Sequence, residues 1–135
     1  GSMFPEMSLK DTFGVNKVLS SAFSGYTLID FWYSHCGPCI AQFDKFKQLH
    51  GNYFSKGFEI IGISTDIQKH ESEWKNAIQK YNLPWAQLWD MDGQIANRFS
   101  INSFPTNFLL DRSGKIIQRD IDIAQLEFYL HTHLE

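Results

Sequence analysis

Apolar residues change their spacing from segment to segment along this chain, and each spacing predicts an element. Residues 26–33 (YTLIDFWY) are an almost unbroken β-branched and aromatic run, the pattern of a central strand buried on both faces. From residue 36 to 54 the apolar positions Ile40, Phe43, Phe46, Leu49 and Tyr53 step by three and four, as one buried helical stripe requires. Gly57 breaks the chain, and residues 58–64 (FEIIGIS) read as a second buried strand. Residues 71–81 carry Trp74, Ile78 and Tyr81 on one helical face, and Pro84 stands beyond their end. A short strand is expected over 85–88, and Gly93 opens a small helix over 94–99. Residues 106–110 and 116–119 pair as a hairpin across a turn at Gly114. Residues 123–133 close the chain as a helix with Ile123, Leu126, Phe128 and Leu130 on its apolar side. Ahead of these, residues 8–10 form a first short strand and 11–14 a turn, and 18–23 form a short helix or irregular turn closed by Gly25.

Counted from residue 26 the order is β-α-β-α-β-α-β-β-α. Alternation implies parallel strands with right-handed crossovers, and the closing hairpin adds antiparallel ones. The fold class is therefore α/β, a mixed central sheet with helices on both faces. No linker-like segment divides residues 1–135, which read as a single domain, with Gly1-Ser2 as the remnant of a cleaved tag.

Composition narrows the function classes. A 135-residue chain can bury a core without disulfide or metal staples. A hydrophobic share of 43%, with 16% aromatic residues, excludes disorder. The net charge of -3, with no basic run, argues against a nucleic-acid partner. The longest apolar stretches are far too short to cross a bilayer. A signal peptide, lipid anchor or further domain beyond this sequence stays open, and with it the compartment.

The chain has two cysteines, Cys36 and Cys39. A structural disulfide across so short a loop would constrain little of the unfolded chain. A zinc site needs about four ligands, so histidines would have to supply the rest. Reversible redox chemistry is the reading that remains, since it gains from close spacing. Cys36 falls at a helix start, where free N–H groups favour a thiolate. Cys39 comes one turn later on the same face, close enough to bridge; it is expected to be more buried, with a higher pKa. Pro38 suits a first helical turn, and Gly37 leaves the approach to Cys36 open.

Asp30 interrupts the apolar run Leu28-Ile29-Asp30-Phe31-Trp32, where an acid is costly to bury. It either caps a strand end or serves, with a raised pKa, as general base for Cys39. His35 is either an exposed loop residue or, when protonated, a stabiliser of the Cys36 thiolate. His50, His70, His131 and His133 read as surface residues, and no metal is expected. Trp74, Trp85 and Trp89 read as packing aromatics. Asp90 and Asp92 beside Gly93 lack the full series of a calcium loop and read as a turn and helix cap.

The run Asp30-Phe31-Trp32-Tyr33-Ser34-His35-Cys36-Gly37-Pro38-Cys39 closely resembles the active-site segment of thioredoxins, and Ser103-Phe104-Pro105-Thr106-Asn107-Phe108-Leu109-Leu110-Asp111 resembles their cis-proline segment. The extra residues between Cys39 and Pro105, around 71–88, look like the helix-plus-strand insertion of the TlpA/ResA-like branch. The run Leu88-Trp89-Asp90-Met91-Asp92-Gly93 is similar to that branch's common LLDPDG. The resemblance implies a thioredoxin-like fold and a thiol–disulfide oxidoreductase that reduces partner disulfides. In it Cys36 attacks, Cys39 resolves and Asp30 is the buried acid. Trp32 flanks the site, as His35, Gly37 and Pro38 do. Phe104, the cis-proline Pro105 and Thr106 meet the partner. His35 departs from the usual Trp, Gln42 from a common Glu and Asp44 from a common Pro. The resemblance further implies no cofactor, disulfide-containing protein substrates and an upstream thiol electron donor. The branch is typically bacterial, extracytoplasmic and often membrane-tethered, with a cytoplasmic setting left open. An oxidase or isomerase would use the same residues, and a non-catalytic binding module would fit better if either cysteine were missing. Peroxidases of this fold resemble the pattern PxxxTxxC, and here Ile29 and Tyr33 hold the Pro and Thr positions.

Overall fold

The apolar run at residues 26–33 becomes the middle of a sheet in the computed structural model, which describes residues 1–135. Strand β3 (Tyr26–Trp32) is buried from Thr27 to its end, as its unbroken apolar pattern demands. It pairs in parallel with β4 (Phe58–Ser64), with Leu28 opposite Ile60 and Asp30 opposite Gly62. On its other side lies β6 (Thr106–Leu110), antiparallel, with Asp30 opposite Asn107. The full order is β2-β1-β5-β4-β3-β6-β7, where β1 is Ser8–Asp11, β2 Asn16–Val18, β5 Ala86–Trp89 and β7 Ile116–Arg119. The helices are α1 (Gly37–Ala41), α2 (Phe43–Tyr53), α3 (Glu71–Lys80), α4 (Gln94–Arg98) and α5 (Ile123–Leu134).

The two-residue period of a strand sends alternate side chains to opposite faces. Leu28 and Trp32 join Cys36, Cys39 and Phe43 in one apolar cluster, which also takes residues of α2, α3 and α5. Ile29 and Phe31 join Ile61, Ile63 and Leu88 in a second cluster, covered by α4 and the N-terminal segment. Asp30, between Leu28 and Trp32 in period, therefore faces the cysteine cluster.

Several sequence expectations need correction. The turn at 11–14 joins β1 to a further strand, β2; its three residues are all exposed, so no apolar pattern announces it. The predicted helix over 36–54 is two helices. At Gln42 the backbone N–H reaches both Cys39 and Ile40 carbonyls, a tightened turn that ends α1, and the apolar stripe continues across it. The fifth strand begins one residue late, at Ala86. Strand β6 runs antiparallel to β3 although a helix precedes it, so α4 is not a parallel crossover. Phe128 is 72% exposed, because Leu126 and Leu130, four apart, already define the buried face of α5. That helix opens on a capping box between Asp122 and Gln125.

Candidate functional site

The site begins where β3 ends. Its C-terminal loop is held by Asp66, a buried carboxylate just past β4. Asp66 accepts the Ser34 backbone N–H at 3.0 Å, the Ser34 hydroxyl at 2.6 Å and the Ser64 hydroxyl at 2.6 Å. The Thr65 N–H adds a bond to the Trp32 carbonyl at 2.9 Å. Three donors on one buried carboxylate, two of them from Ser34, fix the loop two residues ahead of Cys36. Replacing Asp66→Ala should cost about 3 kcal/mol, the scale of one or two hydrogen bonds to a charged group. Urea denaturation would measure it, and a loss under about 0.5 kcal/mol, the size of an ordinary surface substitution, would show the clamp to be incidental.

Cys36 is the N-cap of α1, with extended backbone (φ -87°, ψ 98°), and Pro38 lies in the first turn. Its Sγ accepts the Cys39 backbone N–H at 3.2 Å. That N–H is one of the donors a helix start leaves without a carbonyl partner, so it favours negative charge on Cys36 sulfur. The pair is joined as a disulfide, Cα to Cα 5.3 Å, so the structure shows the oxidised form. The sequence predicts Cys39 to be the more buried of the two. In this form they are alike, 2% and 1% exposed, because the bridge draws both sulfurs into the apolar cluster. A side chain added at Gly37 would meet open space, so the outer face of the site is unobstructed.

Asp30 is 1% exposed, and its Oδ1 has no hydrogen-bond partner. Burial alone pushes its carboxyl up to about 8. Trp32 lies beneath the site rather than at its rim: it is fully buried, edge-on to Phe43 at 5.3 Å between ring centroids. Its indole N–H donates to Gln87 Oε1 at 3.2 Å. The Phe104–Pro105 peptide bond is cis. Since Thr106 pairs with Phe31, Pro105 stands at the end of β3 from which the cysteine loop leaves. Tyr33 and Phe104 pack edge to face at 5.6 Å and tie the two loops together. The buried Thr106 donates its hydroxyl to the Ser103 carbonyl at 2.7 Å.

His35 is exposed, with its ring 5.1 Å from that of His70. The sequence predicts His70 to be a surface residue. The turn before α3 brings it, with Glu73, within 4.8 Å of the His35 donor atoms. These three could face one cation between them. His35 and Glu73 also border a cleft of about 330 Å³ lined by Ser34, Lys80 and Tyr81. Gln42 holds a buried, unpartnered Oε1 at the break between α1 and α2. Asp90 caps α4 by accepting the Ile95 and Ala96 N–H groups at 2.9 and 2.8 Å. The local sequence carried no signal for Asp66, His70, Glu73 or Gln87, because each meets the site only through strand pairing or loop packing.

The description "AhpC/TSA family" belongs to the family profile that matches residues 1–119. Thiol-disulfide oxidoreductase ResA of a Bacillus cereus strain is 29% identical over 133 residues, covering 96% of this chain and 76% of that protein. ResA of Bacillus thuringiensis subsp. konkukian is 32% identical over 105 residues, 76% of this chain and 60% of that protein. Among solved structures, a thiol-disulfide oxidoreductase from Bacteroides fragilis NCTC 9343 is 34% identical, with a TM-score of 0.86 over 97% of this chain and 98% of that one. The thioredoxin domain of a thiol-disulfide oxidoreductase from Bacteroides vulgatus is 25% identical, with a TM-score of 0.87 over 100% and 97%. At the two positions of a peroxidase pattern, Ile29 is fully buried in the core and Tyr33 packs on Phe104.

Proposed function

This chain belongs to the AhpC/TSA family and is a thiol–disulfide oxidoreductase, and we propose that it works in the reducing direction on disulfides of partner proteins. The observation that carries the direction is the burial of both cysteines, at 2% and 1% exposure, with only the uncharged Gly37-Pro38 between them. Burial penalises the thiolate of the reduced pair, so the dithiol gives up its electrons more readily. The Cys39 N–H on Cys36 Sγ opposes this with a single bond.

In the proposed cycle the Cys36 thiolate attacks one sulfur of the partner disulfide, and the other partner sulfur leaves as thiolate. Cys39 then passes its S–H proton to the Asp30 carboxylate and attacks Cys36 sulfur. The Cys36–Cys39 bond forms, the mixed disulfide breaks, and the second partner sulfur leaves and takes up a proton. Two electrons pass to the partner, and an upstream thiol donor restores the dithiol. Phe104, Pro105 and Thr106 are proposed to meet the partner chain, and His35 to favour the Cys36 thiolate when protonated. Residues 1–135 would serve as one domain for this work. We place it outside the cytoplasm, as in the branch the chain resembles; no helix is long and apolar enough to cross a membrane.

Equilibration against thiol–disulfide buffers measures the direction. The expected potential lies nearer the about −270 mV of a reducing thioredoxin than the about −120 mV of a strong oxidant. A value at the oxidant end would transfer the chain to disulfide formation.

A further inference from the structure

Among the buried strand side chains on the cysteine face of the sheet, two polar atoms lack a partner and lie in one row. Asp30 on β3, Gly62 on β4 and Gln87 on β5 are consecutive in register. Asp30 and Gln87 are thus two strands apart, roughly 9–10 Å between backbones. Gly62 is the residue between them. A Cβ built there would collide with the Gln87 amide, lying 2.8 Å from its Cδ and 2.9 Å from its Nε2. The Gln87 side chain therefore lies across Gly62, and only a residue without a side chain lets it do so.

The orientation of the amide follows from its other neighbour. An indole N–H can only donate, so the Gln87 oxygen must face Trp32, as the 3.2 Å bond shows. The amide NH2 is left buried with no acceptor, and Asp30 Oδ1 is left buried with no donor. An unmet donor and an unmet acceptor on one face, with the glutamine laid over the intervening strand, are complementary halves of a single contact.

We infer that Gln87 is a positioning residue for the reaction, its Nε2–H group donating to the Asp30 carboxylate across Gly62 and holding it ready for the Cys39 proton. The contact is closed by a small side-chain rotation or by one bridging water. It rests on the reading of Asp30 as the base. When Cys39 S–H gives its proton to Asp30, the carboxylate becomes a neutral acid and needs the donor less, so Gln87 favours the charged form that accepts the proton. Of the elements around Asp30, α1 contributes Cys36 and Cys39 to this face, β4 contributes Gly62 and β6 contributes Asn107. No charged side chain adds to the effect of burial on its carboxyl.

The test uses Gln87→Met, which keeps the shape and removes the donor, and Gln87→Glu, which replaces the donor with an acceptor. Carboxyl carbon NMR of the oxidised protein follows the Asp30 titration directly. Its midpoint should rise by about one pH unit in Gln87→Met and further in Gln87→Glu. Resolution of a mixed disulfide at pH 7 should slow about tenfold in Gln87→Met, and this slowing should vanish when Asp30→Asn is already present. An unmoved midpoint in both variants would overturn the proposal, as would a slowing that persists in the Asp30→Asn background. If Asp30→Asn alone left the rate unchanged, the base reading would fail instead, and the titration would still decide whether the contact exists.

Discussion

Cys39→Ser should accumulate a stable mixed disulfide with a peptide disulfide substrate, while Cys36→Ser should lose turnover about a thousandfold or more and trap nothing. The asymmetry comes from the helix start. Cys36 Sγ receives a backbone N–H that would stabilise its thiolate, and that donor belongs to the main chain of residue 39, so a serine there keeps it. Attack survives Cys39→Ser and resolution does not. Intact mass spectrometry after mixing reads the adduct, and limiting iodoacetamide on the reduced wild type at neutral pH should label Cys36 first. Adducts trapped on Cys39 in Cys36→Ser, or preferential alkylation of Cys39, would reverse the roles.

Asp30→Asn should stabilise the fold and slow the resolution step at the same pH. The folded carboxyl is pushed up to about 8 by burial, against 3.8 for the ordinary side chain. A raised acid binds its proton more tightly in the folded state, so it costs nothing below pH 4. The cost grows as pH rises from about 4 to about 8 and is constant above. At pH 7 it is on the order of 4 kcal/mol. The asparagine form escapes that cost, so the stability gap between variant and wild type should open across pH 4 to 8 and close at the acid end. Denaturant unfolding at several pH values measures it. An equal gap at all pH values would mean that Asp30 titrates as it does in the unfolded chain.

Kinetically the same variant loses its proton acceptor, and resolution near pH 7 should fall about 100-fold, within the range of general base catalysis. A base with a pKa near that of a thiol is well matched to accept its proton. The deficit should shrink above pH 9, where Cys39 ionises unaided. Stopped-flow release of the partner thiol follows this step. Equal rates for wild type and variant throughout would make Asp30 a purely structural residue.

Much of this site was legible in the residues themselves. Cys36 and Cys39 at three-residue spacing, after an apolar strand and before an amphipathic stripe, marked a redox pair at a helix start, because strand and helix periods are local properties of the chain. Asp30 stood out for the same reason, as an acid at a position whose neighbours in period were all apolar. The tertiary structure alone decided which distant residues complete the arrangement. Asp66 reaches Ser34 across 32 positions and Gln87 reaches Trp32 across 55, contacts that exist only because β4 lies beside β3, and β5 beside β4, in one register. The antiparallel course of β6, the meeting of His35 with His70 and the equal burial of the two sulfurs were likewise beyond local reading. Periodicity records which face of an element is apolar. Which element covers that face, and in what register, is set by packing among segments far apart in sequence.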